Sequence, residues 1–242
     1  MRSLVRAIGF IVAIILLSAF FGLSGALILL VVPSPAFARR WQKLWGKLVV
    51  AAAGVRLEIE GTDQIDPSQT YLFISNHLSN LDIPVLFVAV PQGVAFVAKK
   101  VLFYIPLFGW YLKAAGFVGI NRRDLSQAKA SLGLAATAAR RGRSIVIFAE
   151  GTRSSDGSLQ VFKKGPFHVA LGSGVPIVPV SISGSFAVLP KGAWQIRPQP
   201  ITVVFGKPIP IAPYLPDRRE ALSQAVREQI VSGIRRWQSE GT

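Results

Sequence analysis

The sequence contains no cysteine, two histidines and only 12 acidic residues among 242. The lack of cysteine excludes disulfides, a thiolate nucleophile and thiolate-ligated metal sites. The chain also lacks the G-x-S-x-G pattern of α/β-hydrolases, the Walker phosphate loop and the G-x-G-x-x-G dinucleotide loop. These absences argue against a nucleophilic serine and against nucleotide binding.

Basic residues outnumber acidic residues, with 27 Lys and Arg and 12 Asp and Glu. This balance predicts anionic partners, either nucleic acid or an anionic lipid surface. The lipid surface fits better, because the uncharged run Ala7–Val32 is long enough to cross a bilayer and basic residues follow it. We expect the run to cross with tilt or to bend at Gly22, Ser24 and Gly25 into a shallow hairpin. The basic residues that follow it are Arg39, Arg40, Lys43 and Lys47.

A secretory signal peptide is the competing interpretation of the N-terminus, since Arg2 and Arg6 precede the run and Ala36-Phe-Ala38 resembles a cleavage site. Signal cores are usually about 7–15 residues long, so this longer run favours a retained anchor. The pattern of apolar and basic residues over 39–54 predicts an amphipathic helix, which lies either in the headgroup region of the membrane or on the protein as an ordinary packed surface helix. The positive flank favours a membrane protein whose main domain faces the cytoplasm. We therefore expect an anchor over residues 1–54 and one domain over residues 55–242.

Short apolar segments alternate with helical segments after residue 54, which predicts an α/β fold. The clearest helix begins at Asp124, with Gln127 three positions later, and ends at Arg141. A closing amphipathic helix is expected over Asp217–Gln238. The predicted strands are Val55–Glu60, Thr70–Ser75, Val94–Ala98, Phe117–Ile120, Ser144–Ala149, Ile177–Ser183 and Ile201–Phe205.

The segment Ser75-Asn-His-Leu-Ser-Asn-Leu-Asp82 begins where an apolar strand ends. A lone histidine at a strand end is more often structural than catalytic. A His and an Asp five positions apart in a strand-to-helix turn can nevertheless meet, and the carboxylate then fixes the imidazole tautomer and stabilises its cation. His77 is therefore a candidate general base, and Asp82 is the residue that would orient it.

A second polar segment, Glu150-Gly-Thr-Arg-Ser154, follows another apolar strand. Ligands bind at the carboxyl edge of such sheets, and a glycine, a hydroxyl and a guanidinium together suit an anionic group. The plainer alternative is a solvated turn with an ion pair between Glu150 and Arg153. In the segment Gly116–Asp124, either Arg122 or Arg123 is expected to join Arg153 around a phosphate.

Two apolar parts of the sequence are expected, from their composition, to lie in the core or to form the wall of a pocket. Val175-Pro-Ile-Val-Pro-Val180 carries two prolines, which should prevent it from being an ordinary central strand throughout. The aromatic residues are expected in the core, or less often along a groove for an acyl chain; they are Phe103, Tyr104, Phe108 and Trp110.

Four of these segments resemble, in order, the four sequence blocks of the glycerolipid acyltransferase family, particularly of its bacterial members that act on 1-acylglycerol 3-phosphate. The resemblance covers roughly residues 70–210, and Asn121 stands where many relatives carry aspartate. It implies an αβα domain on a membrane-embedded helical motif and a dyad of His77 and Asp82. The blocks are Asn76–Asp82, Gly116–Arg122, Glu150–Ser154 and Val175–Pro179. The implied phosphate contacts are Arg122, Glu150, Gly151, Thr152 and Arg153, with supporting roles for Asn76, Lys100, Ser154 and Pro179.

The chemistry that the resemblance implies is attack of a lysophosphatidic acid hydroxyl on the thioester of coenzyme A or acyl carrier protein, at the membrane bilayer. No metal or other cofactor is expected. One alternative is the same chemistry on another lysolipid, such as a lysophospholipid with a full headgroup or an aminolipid. A non-catalytic lipid-binding protein is a second alternative, against which the intact His77 and Asp82 argue. A nucleic-acid-binding protein has only charge in its favour, and we expect no nucleic-acid partner.

Overall fold

The computed structural model describes residues 2–121, 123–214 and 218–240. Its centre is a seven-stranded sheet in the order β1-β7-β6-β2-β5-β3-β4. Neighbouring strands are parallel, except for β6 and β7, which are antiparallel. The strands are β1 Leu57–Glu60, β2 Leu72–Ser75, β3 Val94–Lys99, β4 Val118–Ile120, β5 Ser144–Phe148, β6 Ile177–Ser183 and β7 Ile201–Phe205. Each of the seven predicted strands is present.

Helices cover both faces of the sheet, which confirms the α/β class. Successive side chains of a strand point to opposite faces. Accordingly, Phe73 of β2 packs in the same apolar cluster as α2 and α3, whereas Leu72 and Ile74 pack in the cluster that contains α5, α6 and α8. The helices are α1 Arg2–Val31, α2 Pro35–Ala52, α3 Asp82–Ala89, α4 Phe108–Ala114, α5 Leu125–Arg140, α6 Lys164–Ser173, α7 Ser185–Val188 and α8 Arg219–Glu240.

The N-terminal apolar run forms one continuous helix through Gly22 and Gly25, so the predicted bend at these glycines does not occur. Instead, Gly25 provides room for the rings of Trp41 and Tyr111, which a side chain at this position would strike. Residues 8–31 are long and apolar enough to cross a membrane. The chain turns after α1, and α2 begins at Pro35, where the Ser34 hydroxyl caps it.

One other prediction needs adjustment. Pro179 lies inside β6, which is a central strand, although prolines usually occur at sheet edges. The pairing of β6 with β7 begins one residue after Pro179, at Val180, and the Pro179 carbonyl accepts a hydrogen bond from the Gly206 N–H. The N–H that proline lacks is therefore at the end of the hydrogen-bonded pairing between β6 and β7. The predicted start of the last helix, Asp217, lies outside the described residues.

Candidate active site

His77 and Asp82 meet at the carboxyl end of β2, as their spacing predicts. The Nδ1 atom of His77 lies 2.8 Å from Oδ2 of Asp82, which is the first residue of α3. The same oxygen accepts the backbone N–H groups of Leu78 and Ser79 at 2.7 and 2.8 Å. The fully buried Asp82 carboxylate is thus held by its own turn and in turn orients the imidazole.

The imidazole ring of His77 is also fixed from one face. It stacks on Phe148, the last residue of β5, with ring centroids 3.7 Å apart and planes 9° apart. The carboxylate accepts a hydrogen bond from Nδ1, so the neutral ring carries its proton there and Nε2 is unprotonated, and the residue lines the adjoining cavity. The side chain is only 13% exposed, so the imidazole is largely shielded from bulk water.

The backbone of His77 is tied to the loop after β5. Its N–H donates to Oε1 of Glu150 at 3.0 Å, and its carbonyl accepts the N–H of Ser154 at 2.8 Å. Glu150 is buried, and this burial raises the pKa of its carboxyl to about 7. Among the described residues its Oε2 has no hydrogen-bond partner, and no Glu150–Arg153 ion pair is present.

Three polar residues of the sequence blocks form hydrogen bonds that hold the strands and loops around His77 together. The Asn76 amide donates to the Ile182 carbonyl at 2.9 Å and accepts the Ile182 N–H at 2.8 Å, which joins the end of β2 to β6. The fully buried Ser79 hydroxyl donates to the Leu189 carbonyl at 2.8 Å, as expected of a serine that is not a nucleophile. The Ser154 hydroxyl accepts the Gly157 N–H and shapes the loop after β5.

A cavity of about 380 Å³ opens beside His77. The cavity is lined by Thr152 and by three cationic residues, Arg153, Lys99 and Lys191. No carboxylate occurs among its described lining residues. The rest of the lining is largely apolar and aromatic and comes mainly from α1, α2, α3, α4 and the sheet; it includes Phe21, Trp41, Trp45, Phe87, Phe96, Phe108 and Phe117. The arrangement suits a substrate with an anionic head and a long apolar tail.

Other predicted site residues lie elsewhere. Lys100 is exposed and donates to the Gln127 side chain at 3.1 Å, so it does not line the cavity, whereas its neighbour Lys99 does. Gly151 turns the loop with a φ of 70°. Arg122 lies outside the described residues. Lys191 follows no recognisable motif, and only the folded chain reveals its position beside the cavity.

A histidine in contact with a buried aspartate thus lies beside a cavity that is both cationic and apolar. The chain belongs to the acyltransferase family, because the sequence profile described as Acyltransferase matches residues 56–183.

Similar proteins agree with this assignment. The chain is 35% identical over 190 residues to the 1-acyl-sn-glycerol-3-phosphate acyltransferase of Limnanthes alba, covering 76% of this chain and 67% of the relative. It is 31% identical over 196 residues to the human 1-acyl-sn-glycerol-3-phosphate acyltransferase alpha, covering 78% and 67%. The crystal structure of the 1-acyl-sn-glycerophosphate acyltransferase PlsC from Thermotoga maritima superposes with a TM-score of 0.85 at 26% identity, covering 98% of this chain and 96% of that one.

Proposed function

We propose that the protein transfers a fatty acyl group from a thioester to the sn-2 hydroxyl of 1-acylglycerol 3-phosphate and so forms phosphatidic acid. The observation that carries this proposal is the 2.8 Å contact of His77 with Asp82 beside an apolar cavity that Arg153 also lines. The names of the similar proteins support this acceptor.

In the proposed reaction, Nε2 of His77 removes the proton from the acceptor hydroxyl as its oxygen attacks the thioester carbonyl carbon. The tetrahedral intermediate collapses, the C–S bond breaks, and the imidazolium returns its proton to the departing thiolate. Asp82 stabilises the imidazolium between these steps. No covalent acyl-enzyme forms, and the activated thioester needs no metal or other cofactor.

The acceptor phosphate is proposed to bind the loop after β5. Arg153 offers a planar pair of donors, and Gly151, Thr152 and Arg122 complete the contact. Lys99 and Lys191 extend the positive charge around the cavity. Fixing the phosphate places the hydroxyl in a near-attack position. Glu150 acts through the His77 backbone, which makes it a positioning residue.

The acyl chain is proposed to lie along the aromatic part of the cavity, and the thioester donor is acyl-coenzyme A or acyl-acyl carrier protein. Both donors are anionic and suit a chain of net charge +15. The anchor, residues 1–54, would hold the protein in a membrane with the domain of residues 55–242 on the cytoplasmic side.

The test is to incubate the purified full chain with a panel of lysolipids and both thioester donors and to identify each product by mass. The proposal expects phosphatidic acid as the main product. Preferential acylation of a lysolipid with a complete headgroup, or of an aminolipid, would reassign the acceptor. No acylation of any lysolipid would contradict an enzymatic role.

A further inference from the structure

Five large apolar side chains point out of the protein between residues 101 and 110, the stretch that leads from β3 into α4. The side chains are those of Val101, Tyr104, Ile105, Leu107 and Trp110, and we call them the outer face of segment 101–110. Tyr104 is 71% and Val101 62% exposed. The sequence predicts that Tyr104 and Trp110 lie in the core, yet the fold exposes both. Several exposed large apolar side chains in one stretch of ten residues indicate an interaction surface.

Segment 101–110 is held in a defined conformation. Residues 100–104 form a 3-10 helix, and the Gly109 N–H donates to the Ile105 carbonyl at 2.8 Å. A side chain at Gly109 would collide with the Phe103 backbone, so the chain is tightly packed on its inner side. Leu107 adopts a φ of 66°, a left-handed conformation that is uncommon for a branched side chain. The outward orientation is therefore built into the fold.

The outer face continues the apolar surface of α1. Tyr111 and Leu112 of α4 share a buried cluster with Ala26 and Leu29 of α1, and Phe108 approaches Gly22. On its other sides α1 exposes a row of large apolar residues, among them Phe20, Leu23, Leu27 and Leu30. Exposed lysines flank the segment; they are Lys99, Lys100 and Lys113.

We propose that the outer face of segment 101–110 inserts into the bilayer beside α1 as a second membrane contact. A bilayer is the occupant because the face adjoins a helix long and apolar enough to cross a membrane. The flanking lysines complement anionic headgroups, as in other interfacial segments. A tyrosine and a tryptophan also suit the boundary between headgroups and acyl chains.

The inner side of the same segment forms part of the cavity. Leu102 and Phe108 line it together with Phe21 and Gly22 of α1. If the outer face lies in the bilayer, the cavity begins directly beneath the lipid surface. The lysolipid then passes between α1 and segment 101–110 with its acyl chain in apolar surroundings throughout. This access route rests on the proposed function, whereas the membrane contact rests on exposure and packing alone.

The lack of cysteine permits a clean test with single labels. Val101→Cys and Tyr104→Cys, each carrying a nitroxide, are compared with Leu134→Cys, an exposed position on α5 at the opposite face of the sheet. The full chain is reconstituted in vesicles of phosphatidylcholine and phosphatidylglycerol. Labels at 101 and 104 should collide more with oxygen and less with a water-soluble nickel chelate than the label at 134. Equal access of the chelate to all three labels would overturn the proposal.

A second measurement tests the access route. Val101→Asp combined with Tyr104→Asp should lower activity on bilayer-embedded acceptor by about tenfold or more, since two apolar contacts with lipid are lost. Activity on a dispersed short-chain acceptor should stay near that of the control, Leu134→Asp. Equal losses on both acceptor forms would overturn the access route. Failure of the wild type to acylate any lysolipid would contradict the proposed function without altering the nitroxide result.

Discussion

At the scale of residues, two buried carboxylates contact different parts of His77. One oxygen of Asp82 accepts the imidazole Nδ1–H and two backbone N–H groups, so it fixes the ring. Glu150 instead accepts the His77 backbone N–H with one oxygen, and the second oxygen of each carboxylate has no partner in the described part of the chain. The two groups should therefore respond differently to substitution.

Glu150→Gln should make the protein relatively more stable as pH rises. Burial raises the pKa of Glu150 from 4.5 to about 7. Between these values the unfolded chain ionises while the folded carboxyl stays protonated, so the contribution of Glu150 to stability falls with increasing pH and levels off above about 7. The neutral amide has no such dependence. Thermal unfolding of both proteins from pH 5 to 8 should show their difference growing over this range.

The amide variant should also keep most of the activity, because its side-chain oxygen still accepts the His77 N–H. Glu150→Ala removes that acceptor and should lower kcat more than it raises KM. A pH-independent stability difference between wild type and Glu150→Gln would show that Glu150 is ionised in the folded protein.

Arg153→Ala should raise the KM for the phosphorylated acceptor by about tenfold or more, the usual cost of losing a charged hydrogen bond. Arg153→Lys should recover only part of the loss, because an ammonium lacks the planar fork. Arg197→Ala, an exposed arginine that does not line the cavity, is the control. A change confined to the KM of the thioester would assign Arg153 to the donor.

Site residues that are close together in the sequence are easier to predict than site residues that only the fold brings together. His77 and Asp82 lie in one turn, so their contact follows from spacing. Lys99, at the end of β3, and Lys191, in a loop, reach the cavity from distant parts of the chain, and no local sequence pattern predicts this. The prediction that Tyr104 and Trp110 lie in the core is wrong, because composition alone does not distinguish a buried aromatic side chain from an exposed one.

At the scale of elements, the strands could be predicted and their order could not. Each strand is an apolar run with a local signature, whereas the order places β2 between β5 and β6 through crossovers of many residues. The start of α5 was predicted correctly from Asp124 and Gln127. Asp124 accepts the Gln127 N–H at 3.0 Å, and the Gln127 amide donates back at 2.6 Å.

Asp124→Ala should destabilise the protein by about 1 kcal/mol, because the first turn of α5 loses its cap. The melting temperature should fall by about 2–4 °C in detergent solution. Asp124→Asn keeps an oxygen acceptor and should stay close to wild type. An equal loss in both variants would indicate that charge, and not capping, is what Asp124 contributes.

At the scale of the whole molecule, the N-terminal helices line part of the cavity and also form the proposed anchor. Ser18, Phe21 and Gly22 of α1 and Trp41 and Trp45 of α2 line the cavity. A lysolipid drawn fully into water would lose about 0.8 kcal/mol for each exposed methylene. An enzyme held at the bilayer surface avoids most of this cost.

Deletion of residues 1–32 should release part of the protein from membranes, while α2 retains a fraction. Activity should fall on both forms of the acceptor, since one wall of the cavity is lost, but more on bilayer lipid than on dispersed short-chain lysolipid. Membrane fractionation and assays on both forms check this. A mature N-terminus at Arg39, or equal losses on both forms, would contradict a retained anchor.

The central claim is that His77, oriented by Asp82, activates the hydroxyl of 1-acylglycerol 3-phosphate. The most direct measurement is phosphatidic acid formation from this acceptor and an acyl thioester by the purified wild type, His77→Ala and Asp82→Asn, each verified as folded and membrane-bound. The account predicts that His77→Ala lowers the rate by at least about 100-fold and that Asp82→Asn is also severe. A folded His77→Ala variant that keeps most of the wild-type rate would contradict it.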